Sequence, residues 1–173
     1  MAKGKRFIAD AMMGEVARWL RLLGYDTLYS RNYSDYQILR IAESTRRIIV
    51  TSDRGLHSRA RRRGLRSIYI SSHKIEERLA QVALGAGIRL HADPDRSRCP
   101  ECNGELVKIK DKSLVKDKVP PGALNSYDTF YICRRCGRVY WRGGHWRNIE
   151  RVLEEASRLV TTVRGMREGR DKR

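Results

Sequence analysis

Residues 47–53 read Arg47-Ile48-Ile49-Val50-Thr51-Ser52-Asp53, and this stretch decides the fold class. After its arginine, Arg47–Thr51 is apolar and β-branched, as a strand buried on both faces should be. Arg54–Arg63 follows at once and reads as a helix. The same alternation extends to either side. Upstream, the short apolar run Arg6–Ala9 precedes a helix over Glu15–Leu23, whose Val16, Trp19, Leu20 and Leu23 share one face and which Gly24 stops. Asp26–Ser30 reads as a second strand. Ser34-Asp35-Tyr36-Gln37 is a capping-box pattern that opens a helix carrying Ile38, Leu39, Ile41 and Ala42. Downstream, Ser67–Ile70 reads as a fourth strand and Lys74–Leu84 as a fourth helix, with Ile75, Leu79, Val82 and Ala83 on one face. Four strand–helix units in succession give an α/β fold, a parallel sheet flanked by helices. In such sheets the functional crevice lies beyond the carboxyl ends of the strands.

Asp93-Pro94-Asp95 breaks the alternation, and all four cysteines lie beyond it. The expected organisation is therefore a first domain over 1–92, a small cysteine-bearing module over 93–145, an amphipathic helix within 146–164 and a flexible basic tail over 165–173. The helix is carried by Ile149, Val152, Leu153, Ala156, Leu159, Val160 and Val163 at helical period.

The 173 residues hold 37 Lys plus Arg against 20 Asp plus Glu, a formal charge of +17. An excess of that size points to a polyanionic partner, most simply nucleic acid. A charged fraction of 33% with only four Asn and two Gln also suits a hyperthermophile surface, and the two readings are compatible. No apolar run approaches the ~18 residues of a membrane span, and the start is too short in apolar residues for a signal peptide, so a cytoplasmic location is the expectation.

Cys99-Pro100-Glu101-Cys102 and Cys133-Arg134-Arg135-Cys136 are two C-x-x-C knuckles, with 30 residues between them. Together they supply the four thiolates of a tetrahedral zinc site, and four thiolates close the coordination sphere, so such a zinc is structural. Disulfides are the alternative and need an oxidising compartment. From Cys133 to Arg147 inclusive there are five arginines, Arg134, Arg135 and Arg138 among them, and no acid. Tyr140, Trp141, His145 and Trp146 interleave with them. Arginines contact phosphates and aromatics stack on unpaired bases, while Tyr140 and Trp141 also suit packing of the module against the first domain.

Asp10 directly follows strand one, Asp35 lies after strand two, and Asp53 directly follows strand three. All three belong to the carboxyl edge of one sheet. In a 2-1-3-4 strand order, Asp10 and Asp53 would stand about one strand spacing (~5 Å) apart. Carboxylates that close repel unless a cation shares them, and Mg²⁺ or Mn²⁺ takes such oxygen ligands. Each Asp also precedes or opens a helix, where acids serve as caps, so both readings stay open.

Phe7-Ile8-Ala9-Asp10-Ala11-Met12-Met13-Gly14 with Ala17–Thr27 (ARWLRLLGYDT), Thr51–Leu56 (TSDRGL) and Cys133–Trp141 (CRRCGRVYW) resemble the Mut-seven-C family, a PIN-like RNase domain that often ends in a zinc ribbon. The resemblance covers about residues 6–160. It implies a metal-dependent ribonuclease of PIN-like fold, with Asp10, Asp35 and Asp53 holding catalytic Mg²⁺ or Mn²⁺ and the cysteines a structural zinc. Its partner would be RNA, with tRNA, rRNA or ribosome-associated RNA as candidates. A fourth acid typical of PIN nucleases has no clear counterpart: Glu15 lies more than a turn beyond Asp10, and Glu76 and Glu77 read as the solvent face of the fourth helix. The substrate grip would come from Arg54, Arg59, Arg61, Arg62, Arg63 and Arg66, of which Arg59, Arg62, Arg63 and Arg66 have helical spacing, together with Arg134, Arg135, Arg138 and Trp146. Gly14 would let a phosphate approach the first helix. The competing reading is an RNA- or ribosome-binding protein that keeps the fold and ribbon and cleaves little.

Overall fold

The computed structural model describes residues 4–171; residues 1–3 of the first expected domain, and Lys172 and Arg173 of the expected tail, lie outside the described residues. Parallel strands β1 (Phe7–Ala9), β2 (Thr27–Tyr29), β3 (Ile48–Thr51) and β4 (Ser67–Tyr69) form a sheet in the order β2-β1-β3-β4. Pairing of Ala9 with both Tyr29 and Val50, and of Val50 with Ile68, brings the strand ends to one level. Residues that follow the strands therefore gather at one edge.

Helices α1 (Gly14–Leu22), α2 (Asp35–Thr45), α3 (Arg54–Arg62) and α4 (Ile75–Ala86) cover the sheet. The strand alternation sorts the core. Phe7, Ala9, Ile48 and Val50 face α1 and α4 through Val16, Leu20 and Ala83, while Ile8 and Ile49 face α2 and α3 through Ile38, Leu39 and Leu56. The capping box at α2 forms as its sequence dictates: Ser34 Oγ accepts from the Gln37 amide at 3.3 Å, and Gln37 Oε1 accepts from the Ser34 amide at 2.9 Å.

A second, antiparallel sheet holds β5 (Leu106–Ile109), β6 (Phe130–Cys133) and β7 (Val139–Tyr140). The segment between β5 and β6 is not a bare loop. A 3₁₀ turn at Lys112–Leu114 and a short helix α5 (Pro121–Ser126) fold it over Val115, Val119 and Phe130. Pro121 at the first position of α5 was its legible signal. Helix α6 (Trp146–Asp171) then returns to the first sheet, packing Val152, Leu153 and Ala156 against Leu23 and Leu79. It does not stop at Arg164; the segment expected as a flexible tail is helical up to Asp171. Gly165 weakens a helix by about 1 kcal/mol, too little to end one already nucleated by docked turns. Among the described residues no helix is long and apolar enough to cross a membrane.

Polar contacts join the two sheets. Asn103, in the left-handed conformation just after Cys102 (φ 65), accepts the Thr27 amide at 3.0 Å and donates to Asp26 at 2.7 Å. Arg47 closes the joint, donating to both Asp26 oxygens at 2.9 and 2.8 Å, while its own Nε finds no partner among the described residues. Burial alone would raise the Asp26 pKa, but the Arg47 and Asn103 hydrogen bonds outweigh it and hold the carboxyl below its usual range. A depressed carboxyl pKa means the joint is at full strength above about pH 4 and weakens as the pH falls through the folded value. Asp26→Ala strands a buried guanidinium, and urea denaturation at pH 7 should show a loss of about 3 kcal/mol. A change below about 1 kcal/mol would make the pair dispensable.

Candidate functional site

At the carboxyl edge, Asp10 caps the 3₁₀ turn Ala11–Met13, its Oδ1 accepting the Met12 amide at 2.9 Å. Its other oxygen accepts the Thr51 hydroxyl. Thr51 Oγ1 in turn accepts the Asp53 amide at 2.9 Å, so one hydroxyl ties the two acids together. Asp53 caps α3, with Oδ1 accepting the Leu56 amide at 2.9 Å. Asp10 is buried and Asp53 exposed. They are not abreast as expected. The Asp10 amide donates to Val50 O at 3.1 Å, which sets Asp10 beside Thr51 and leaves Asp53 beyond Ser52.

Asp35 opens α2 and is ion-paired with Arg59 of α3. Gly55 makes room for this arrangement: a Cβ there would stand 3.0 Å from Asp53 Oδ1 and 3.3 Å from Arg59 Nη1. The guanidinium thus sits beside two of the three acids. Gly14 leaves space too, but Tyr29 uses it; a Cβ on Gly14 would stand 2.7 Å from the Tyr29 hydroxyl oxygen, which donates to Ala11 O at 3.2 Å. Two of the three acids weighed as a fourth ligand are ion-paired. Glu15 faces Arg78 at 3.7 Å, and Glu76 turns toward Arg151 of α6 at 3.9 Å, away from the solvent face assigned to it.

Among the described residues, the aspartates do not converge within 4.8 Å of one another as the four cysteines do. Their chemistry nevertheless suits a hard divalent cation: each is a carboxylate, and Asp53 Oδ2 and Asp35 Oδ1 accept no hydrogen bond from the described residues. Two carboxylates completed by water and substrate phosphate form a common Mg²⁺ site.

The arginines separate into groups. Arg54, at the start of α3, donates to the Tyr69 hydroxyl at 3.2 Å and lies 5.7 Å over its ring, close to Asp53. Arg61 and Arg62 end the helix, Arg63 caps it, and Gly64 (φ 72) turns the chain, so Arg66 is off the helix altogether. At 1.5 Å rise per residue, Arg63 stands about 13 Å down the helix from Arg54. Arg66 lines a basic cleft there with Lys5, Arg6 and Arg46, at the amino ends of the strands. In the ribbon, Arg135 donates to Cys102 O at 2.9 Å and Arg138 pairs with Glu101 at 3.1 Å, whereas Arg134 is exposed. Trp146 is buried and its Nε1 donates to Glu150 at 2.9 Å.

The four thiols form a compact group. Cys99 and Cys136 sulfurs lie 3.6 Å apart and those of Cys102 and Cys133 3.4 Å apart, too long for disulfides and near the edge of a tetrahedron with ~2.3 Å Zn–S bonds. Backbone amides of Arg135 and Cys136 point at Cys133 Sγ from 3.4 and 3.5 Å. Burial opposes ionisation of Cys133, but these amides outweigh it and lower its pKa, while burial pushes the Cys102 and Cys136 thiols up. Gly104 is obligatory here, since a Cβ would stand 2.6 Å from Cys133 Sγ. The arrangement fits a structural zinc.

The family model of the Mut7-C RNAse domain matches residues 5–153. The chain belongs to the Mut7-C RNAse domain family. The match spans both the parallel sheet with its aspartates and the whole cysteine module, so in this member of the Mut7-C family the two are parts of one recurring unit. No curated protein and no solved structure shows significant similarity to it. Sequence reasoning had missed Thr51, Gly55 and Asn103 in this unit. Thr51 and Gly55 lay inside the quoted TSDRGL motif, and their spacing to Asp53 was the available signal.

Proposed function

We propose that this protein is a metal-dependent ribonuclease that hydrolyses RNA phosphodiester bonds at the carboxyl edge of the parallel sheet. The observation that carries the reading is the Thr51 hydroxyl, which links the Asp10 carboxylate to the Asp53 backbone across neighbouring strands. Two acids of a chain with charge +17 are thereby held in one place on rigid strand ends. Asp10 and Asp53 would hold Mg²⁺ or Mn²⁺, with Asp35 as third ligand. Such an ion supplies a water of lowered pKa and neutralises charge on the scissile phosphate. Arg54 and Arg59 are placed to contact phosphates beside the acids, with Arg59 exchanging Asp35 for substrate. Arg61, Arg62, Arg63 and Arg66 would hold RNA farther from the centre, and Arg134 would extend the contact from the ribbon.

The pairing of Asp35 with Arg59 favours a second reading, an RNA-binding protein that cleaves little. The two differ in one assay. Protein dialysed into metal-free buffer is mixed with labelled single-stranded RNA, and Mn²⁺ or Mg²⁺ is then added. The nuclease reading expects cleavage only after the metal. Binding without cleavage under either metal supports the second. In both, binding should weaken steeply with salt, because arginine–phosphate contacts release counterions.

A further inference from the structure

All three tryptophans of the chain, Trp19, Trp141 and Trp146, line a single cavity of about 270 Å³. It opens between α1, the three-stranded sheet and the first turn of α6, and Tyr131 and Tyr140 complete its aromatic wall. Its size approaches that of small-ligand pockets, which begin near ~300 Å³. The wall is held in shape. Trp141 packs on Phe130 with ring centroids 6.2 Å apart, and Gly143 leaves room for its indole, since a Cβ there would stand 2.8 Å from Trp141 Nε1.

The polar groups of the wall differ in what they lack. The Tyr131 hydroxyl donates to Asp95 at 2.8 Å, the Tyr140 hydroxyl lies 3.1 Å from Cys99 Sγ, and Trp146 Nε1 is taken by Glu150. Among the described residues, the N–H groups of Trp19 and Trp141 have no acceptor. Arg18 and Arg142 stand at the same cavity with side chains 61% and 62% exposed; Arg18 pairs with Glu101 and Arg142 with Glu150, surface ion pairs that contribute little, and Arg142 also lies 5.3 Å over the Trp146 ring.

We propose that this cavity receives one unpaired base of an RNA strand, with Arg18 and Arg142 taking the phosphates on either side. Aromatic faces stack on any base, and the cationic rim matches the flanking phosphates. An aliphatic ligand would leave the arginine rim unanswered. The inference rests on RNA being the substrate and adds a preference: a paired base is stacked in its duplex and cannot enter.

Because every tryptophan is at the cavity, intrinsic tryptophan fluorescence reports on it. Full-length protein in metal-free buffer is titrated with a single-stranded oligoadenylate, with the same strand in a duplex, and with inorganic polyphosphate. The single strand should quench and bind at least about tenfold more tightly than the duplex, and polyphosphate should bind without quenching. Trp19→Leu should weaken the single strand about tenfold and leave polyphosphate unchanged. If that variant does not fold, the three wild-type titrations decide alone. Equal quenching by polyphosphate, equal affinity for duplex, or quenching by an apolar peptide but not by RNA overturns the proposal. Quenching and strand preference without metal-dependent cleavage would sustain the pocket while removing the nuclease reading. Cleavage with no strand preference would do the reverse.

Discussion

Replacing Asp10 or Asp53 by asparagine should lower the RNA cleavage rate about a thousandfold, and Asp53→Asn should leave the melting temperature nearly unchanged. Both acids accept a backbone amide at a helix start, Met12 for Asp10 and Leu56 for Asp53. Asparagine caps as well as aspartate does. At Asp53 the substitution therefore preserves the local fold and removes only the negative charge that a divalent cation would need, whereas at Asp10 it also replaces the acceptor of the Thr51 hydroxyl by an NH₂ donor. Asp10→Ala separates the two roles further. It deletes the cap and the acceptor of the Thr51 hydroxyl together, so stability should also fall by about 1–2 kcal/mol. Cleavage of labelled RNA under Mn²⁺, set beside thermal melting of the same preparations, checks both expectations. Undiminished cleavage by both asparagine variants would remove the aspartate edge as the reaction centre.

Loss of the metal at the cysteines should have the larger effect on stability. Elemental analysis should find about one zinc per chain. Cys99→Ser leaves three thiolates where the fold supplies four, and zinc-linked folding energies are large. A drop in melting temperature of about 10 °C or more is expected, at roughly 2–4 °C per kcal/mol for a chain of this size. The damage should spread through the knuckle backbone. Arg21, buried in α1, donates to Pro100 O at 2.8 Å and Glu101 O at 3.1 Å, and Asn103 holds the start of β2. Those contacts lie at the amino end of β2, whereas the aspartates follow the carboxyl ends of their strands. Below its new melting point the variant should keep its cleavage activity. Wild-type protein that contains free thiols and no zinc, yet melts unchanged, would contradict this.

The parallel sheet was legible because its signal is local. Arg47–Thr51 can bury only as a central strand, and β3 is buried at every residue. Ser34 and Gln37 cap α2 through atoms three residues apart, so the capping box needs no tertiary partner to be read. The knuckles were legible for a similar reason, since C-x-x-C spacing is set by the turn that aims both sulfurs. Helix α5 was missed because its residues have no helical periodicity of their own and fold over Val115, Val119 and Phe130 from outside the segment. The end of α6 was misplaced because a charged, glycine-bearing segment was expected to be flexible, whereas the helix runs on through Gly165.

The sequence by itself determined the strand–helix alternation, the start of α2 at Asp35, the cap of α3 at Asp53 and the two C-x-x-C knuckles. Each of these follows from residues within a turn or a strand of one another. Tertiary structure decided which charges are spent. It paired Arg59 with Asp35 and Arg138 with Glu101, and carried Arg61, Arg62, Arg63 and Arg66 to the far end of α3. It also brought Trp19, Trp141 and Trp146 to one cavity from three separate elements. Those outcomes depend on how helices dock across the sheets, and docking is set by the whole buried surface, not by spacing along the chain.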